Sequence, residues 1–65
     1  MAGHYRTVLV SRVTAETDDA FLLELVSSVA WVPKSLIDGP DDYDKGDEEV
    51  EMEIQEWFCE REGIE

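Results

Sequence analysis

Sixty-five residues carry 17 acids against five Lys and Arg, a formal net charge of −12 at pH 7. That charge repels phosphate backbones and anionic lipid headgroups, so direct contact with nucleic acid or a membrane surface is not expected. A single cysteine, Cys59, rules out an internal disulfide, and no stretch approaches the roughly 20 apolar residues of a membrane span.

Residues 5–14, YRTVLVSRVT, are rich in β-branched side chains and free of Gly and Pro, which predicts a strand. Alternation puts Val8 and Val10 on one face and Tyr5, Thr7, Leu9 and Val13 on the other. Glu16-Thr17-Asp18-Asp19 is a polar turn. Residues 20–26, AFLLELV, form a second strand with Phe21, Leu23 and Leu25 on one face. Ser27-Ser28 turns the chain, and 29–32, VAWV, return as a third strand that Pro33 ends. The segment 33–40, PKSLIDGP, reads as a turn or one helical turn with Leu36 and Ile37 tucked inward. Gly39-Pro40 breaks the chain again, and 41–49, DDYDKGDEE, form an acidic loop.

Residues 50–54 alternate: Val50, Met52 and Ile54 face one way, and Glu49, Glu51, Glu53 and Gln55 the other. This is a half-buried strand with one wet, anionic face. A short helix over about 55–62 follows, with Gly63 at the position favoured for a left-handed stop and Ile64 packing back toward Cys59. Trp57, Phe58 and Ile64 are its expected buried side, and Trp31, Trp57, Phe21 and Phe58 are most simply core. The expected architecture is a single small α+β domain over 1–65: an antiparallel sheet of three to four strands with a C-terminal helix. A closed small barrel is the alternative.

Charge is distributed unevenly. Residues 38–65 hold 13 acids against Lys45 and Arg61, or −11, whereas residues 1–37 hold four acids against Arg6, Arg12 and Lys34, or −1. An acidic face of this kind fits a basic partner. Same-face strand residues lie about 7 Å apart, close to the spacing of successive phosphates along a nucleic-acid strand. Glu49, Glu51 and Glu53 therefore make a carboxylate array. The loop adds Asp41, Asp42, Asp44, Asp47 and Glu48, and the helix adds Glu56 and Glu60. Such an array would occupy a cationic groove built for DNA and release its counterions as DNA does. Tyr43 stands among the acids as an aromatic anchor for that contact or as a side chain folded onto the sheet. Glu60, Glu62 and Glu65 crowd a helix C-terminus, where the dipole disfavours anions, and Arg61 is the only nearby offset in the sequence.

Other chemistries find little support. Asp42, Asp44 and Glu53 match positions 1, 3 and 12 of a calcium loop, but Gly46, Asp47 and Glu49 break the pattern at positions 5, 6 and 8. Weak cation binding by the loop remains as an alternative, with no cofactor and no specific metal site expected. His4 is the lone histidine, near the chain start. Cys59 lies among carboxylates, which oppose thiolate formation. No catalytic residue is assigned, and the chain is expected not to be an enzyme. The lone cysteine and the absence of a long apolar run in MAGHYRTVLVSR lead to the expectation of a cytoplasmic protein.

The small size, strong acidity and carboxylate-lined sheet-and-helix layout resemble the phage-encoded anti-CRISPR proteins and other DNA-mimic inhibitors. The runs AWVPKSLI and EVEMEIQEWFCEREGI also resemble small phage and bacterial proteins that bring no function with them. The first resemblance implies an inhibitor in the bacterial host cytoplasm. It would bind the basic DNA-binding groove of a defence effector, with a subunit of a type I CRISPR surveillance complex as the partner it suggests. A homodimer through an uncovered apolar sheet face is a further expectation. The competing explanation is an accessory protein whose acidity is adaptation to salt.

Overall fold

The computed structural model describes residues His4–Ile64. Four strands, β1 (Tyr5–Glu16), β2 (Ala20–Glu24), β3 (Val29–Pro33) and β4 (Glu48–Gln55), form one antiparallel sheet in the order β3-β2-β1-β4. The fold is thus the small α+β sheet with a C-terminal helix that the residue pattern predicts. β1 to β3 are a meander joined by tight turns. The first turn is closed by Thr17, whose hydroxyl accepts the Asp19 and Ala20 amides. Residues 34–47 then carry the chain to the opposite sheet edge through two 3₁₀ turns, Lys34–Leu36 and Pro40–Asp42. β4 pairs with β1 over Tyr5↔Gln55 to Arg12↔Glu48, with Val8 opposite Met52.

One sheet face carries the core. Val8, Val10, Phe21, Leu23, Val32, Met52 and Ile54 are all essentially inaccessible to solvent. Ile37 joins them from the crossing segment, and Leu36 is half-buried against the same cluster. The helix α1 (Glu56–Glu62) covers this face with Phe58 and Cys59, and Ile64 follows them inward. Gly63 ends the helix at φ 74, a left-handed conformation that costs glycine little. The Cys59 carbonyl accepts the amides of both Gly63 and Ile64, the latter at 2.8 Å. This is the stop expected from Gly63 and Ile64 in the sequence.

Four sequence expectations are corrected. Val13 is buried beside Val8 and Val10. The alternation slips between Val10 and Val13, and the β1–β2 register shifts between Val13 and Ala15. Trp31 and Trp57 are not core, with exposures of 49% and 51%. Trp31 lies on the uncovered sheet face opposite Leu22. Trp57 precedes Phe58 on the helix, and about 100° of rotation per residue turns it outward once Phe58 and Cys59 face the core. Its ring meets Phe58 edge-on at 5.8 Å, and its indole N–H donates to Gln55 at 3.0 Å. Finally, Glu48 belongs to β4 and not to the loop; Glu49, expected beside Glu51 on the strand, is in β4 and takes a left-handed φ of 53.

One charged side chain ties the two layers. Arg6 sits on β1 opposite Ile54 and reaches the helix, donating to Glu56 at 3.1 Å, to Glu60 at 3.4 Å and to the Ile64 carbonyl at 3.5 Å. A cation there meets the negative end of the helix dipole. Replacing Arg6 by Ala should lower stability by about 1 kcal/mol, the scale of a partly exposed charge network. A thermal melt should then show a Tm lower by about 4–8 °C for a domain of this size. An unchanged melt would assign Arg6 no role in holding the helix.

Candidate acidic interface

The sequence-predicted site residues fall into three groups. The first is the outward side of β4. With Met52 and Ile54 buried, the intervening Glu51 and Glu53 point away from the core. Glu51 is opposite Leu9, and Glu53 is opposite Thr7, whose hydroxyl donates to the Glu53 carboxylate at 2.6 Å. That bond fixes the Glu53 side chain on the sheet face. Glu48 and Glu49 start the strand, and Glu48 pairs with Arg12 at 3.1 Å.

The second group lies along the free edge of β4. Ile37 forms a bridge to Ile54, and the Asp38 amide donates to the Glu53 carbonyl at 2.8 Å. Asp41 and Asp42 follow in the second 3₁₀ turn. The Tyr43 ring packs against the core, and its hydroxyl donates to the Glu51 carbonyl at 2.8 Å. Of the two roles the sequence leaves open for Tyr43, the contacts seen are those of a side chain folded onto the sheet. Burial, then the charges of Asp42, Glu53, Asp38 and Glu51, raise its pKa above the ordinary 10.0, so it remains a neutral donor. Asp44 and Asp47 close a turn, with the Asp44 amide donating to the Asp47 carboxylate at 3.0 Å. The Gly46 amide donates to the Val13 carbonyl, and the Val13 amide to the Asp47 carbonyl, both at 2.8 Å. The acidic segment is therefore fixed to the sheet at Asp38, Tyr43 and Gly46-Asp47.

The third group does not join the other two. Glu56 and Glu60 sit on the helix, on the core side of the sheet, and Arg6 holds both. Arg61 is 3.8 Å from Glu62. The offset for the helix-end acids is therefore Arg6, about a chain length away in sequence, and not Arg61 alone. Glu65 lies outside the described residues. Cys59 beneath them is fully buried. Burial drives its pKa up, outweighing the lowering by Arg6, with Glu56 adding to the rise. The thiol is accordingly protonated and inert at neutral pH.

The cations select which acids remain bare. Arg6, Arg12, Lys34 and Arg61 pair with Glu56 and Glu60, Glu48, Glu16 and Glu62. Lys34 also stands 4.8 Å over the Phe21 ring. Among the described residues, no cation lies within ion-pair distance of Asp38, Asp41, Asp42, Asp44, Asp47, Glu49, Glu51 or Glu53. These eight lie on β4 and on the segment bonded to β4 at Asp38 and Tyr43 and to β1 at Gly46 and Asp47; Asp18, Asp19 and Glu24, at the β1–β2 turn and the end of β2, are unpaired as well. Asp38 is an addition that the sequence hides, because the residue reads only as part of the turn before Gly39-Pro40.

Among the described residues, no group of three or more His, Cys, Asp or Glu is arranged to hold a metal ion, and no helix is long and apolar enough to cross a membrane. No protein-family model, curated protein or solved structure matches this chain.

Replacing Tyr43 by Phe removes the hydroxyl that straps the acidic segment to β4. The expected loss is about 1 kcal/mol, one hydrogen bond. Because the folded pKa values of Tyr43 and Cys59 are both raised, their protonated forms stabilise the fold below the unfolded values. That contribution falls as pH rises above about 9 for Cys59 and about 10 for Tyr43. Denaturant titrations between pH 8 and 11 should show this decline, and Y43F should show less of it above pH 10. An identical alkaline profile in the variant would contradict the clamp.

Proposed function

We propose that the chain is a non-catalytic inhibitor that presents its bare carboxylates to the cationic DNA-binding groove of a bacterial defence effector, for which a type I CRISPR surveillance complex is the specific candidate. The observation that carries this reading is the segregation of charge. Four of the five Lys and Arg side chains are in ion pairs with acids outside the eight-carboxylate cluster. A basic groove meeting β4 finds anions with no internal partner to displace, which favours association and speeds encounter. Thr7 and Tyr43 support the reading because they fix Glu53 and the acidic segment, so less order is lost on binding.

Adaptation to salt would equally account for a high acid count. It offers no reason for eight of the eleven carboxylates left unpaired among the described residues to fall within residues 38–53. In that case the chain should fold only at high salt, which a thermal melt across a salt series reads directly.

The test is competition between this protein and labelled target duplex for a purified type I surveillance complex at low salt. The wild type should displace DNA, and the effect should weaken as salt rises. The E51K/E53K double variant should lose at least about tenfold in potency, equivalent to roughly 1.4 kcal/mol. Its Tm should hold or rise, because like-charge repulsion is relieved. Full potency in the folded double variant would overturn the acidic-face mechanism, and no competition by the wild type would overturn the choice of effector.

A further inference from the structure

The sheet has three places where backbone groups could be left open, and the chain treats them differently. The edge of β4 is covered by Ile37, Asp38 and Tyr43. The edge of β3 is five residues long and ends in Pro33, which has no amide to offer. The third place is the first half of β1. β4 pairs with β1 from Tyr5 onward, but β2 joins only at Arg12↔Glu24, and the chain turns away at Leu25.

The phase of the β1–β4 ladder says which groups are open. The Glu56 amide donates to the His4 carbonyl, so the even-numbered residues of β1 exchange hydrogen bonds with β4. The Glu53 carbonyl turns the other way, toward Asp38, as the same phase requires. Tyr5, Thr7 and Leu9 therefore direct their amides and carbonyls away from β4. Among the described residues nothing hydrogen-bonds to them there. Next to this edge lies a groove of about 270 Å³ lined by Leu9, Leu25, Val26, Ser27, Ser28 and Gly63. Val26 and Leu9 are exposed there, at 81% and 52%.

We propose that this half-edge of β1 receives an extended cationic segment of a partner protein as an added strand. Main-chain hydrogen bonds to Tyr5, Thr7 and Leu9 would hold it, with an apolar side chain in the Leu9–Leu25–Val26 groove. Charge selects the occupant. A second copy would bring −12 against −12. A Lys or Arg on the outward side of the added strand lies two strand spacings, about 10 Å, from Glu51 and Glu53 across Leu9 and Thr7. This surface is distinct from the DNA-groove contact and stands if that competition fails.

The probe is a synthetic peptide of alternating Lys and Val, eight residues long, followed by amide NMR of the full chain. In the free protein the Tyr5, Thr7 and Leu9 amides should exchange with solvent quickly while Arg6, Val8 and Val10 are protected. The peptide should slow exchange at Tyr5, Thr7 and Leu9. Methylating the peptide's alternate backbone nitrogens, or replacing its Lys by Glu, should weaken binding at least about tenfold. On the protein side, L9P removes only an outward amide and should abolish binding. A thermal melt checks that fold, and L9K, which keeps the amide and fills the groove mouth with charge, provides the second variant. Equal binding by the methylated peptide, shifts confined to the acidic segment, or dimerisation of the protein by sedimentation at this edge would each overturn the proposal.

Discussion

The register of β4 against β1 is the constraint on which everything else rests. Val8 opposite Met52 places Met52 and Ile54 in the core and, because side chains alternate, sends Glu51 and Glu53 outward. A slip of one residue would bury two carboxylates and expose two core side chains. The pairing joins the first strand to the last, so it closes the sheet as well as fixing the faces. It also sets Arg6 beneath the helix and Thr7 beside Glu53.

This one ladder divides the acids by role. On the core side, Arg6 gathers Glu56 and Glu60 and compensates the negative end of the helix. On the outward side and along the β4 edge, eight carboxylates remain without an ion-pair partner among the described residues. Their mutual repulsion opposes folding. Backbone hydrogen bonds at Asp38 and Asp47 and the Tyr43 hydroxyl resist it by fastening the acidic segment to strands whose other face is buried. The interface is thus held by its attachment to the core and not by compensating charge.

Much of this was legible in the sequence. The strands, the Glu51–Glu53 face, the inward turn of Ile37 and the Gly63 stop all follow from local signals: alternation, β-branching and a glycine placed one residue past a helix. What escaped was non-local or irregular. Strict alternation puts Val13 on the wrong face because a register shift is invisible to it. Size alone points Trp31 and Trp57 to the core, whereas position on a strand face and a helix turn decides otherwise. Arg6 as the partner of Glu56 and Glu60 could not be read, since it depends on which strands pair. The same blindness made the helix acids look like part of one array with Glu51 and Glu53.

The central claim is that most of the unpaired negative charge is concentrated on β4 and the segment bonded beside it, while the helix acids are compensated. Paramagnetic broadening of amide signals by a cationic nitroxide, relative to a neutral one, reads local potential residue by residue. The account predicts an excess of broadening by the cation over residues 38–53 and little over 56–62. Equal enrichment across the helix, or a maximum there, would contradict it.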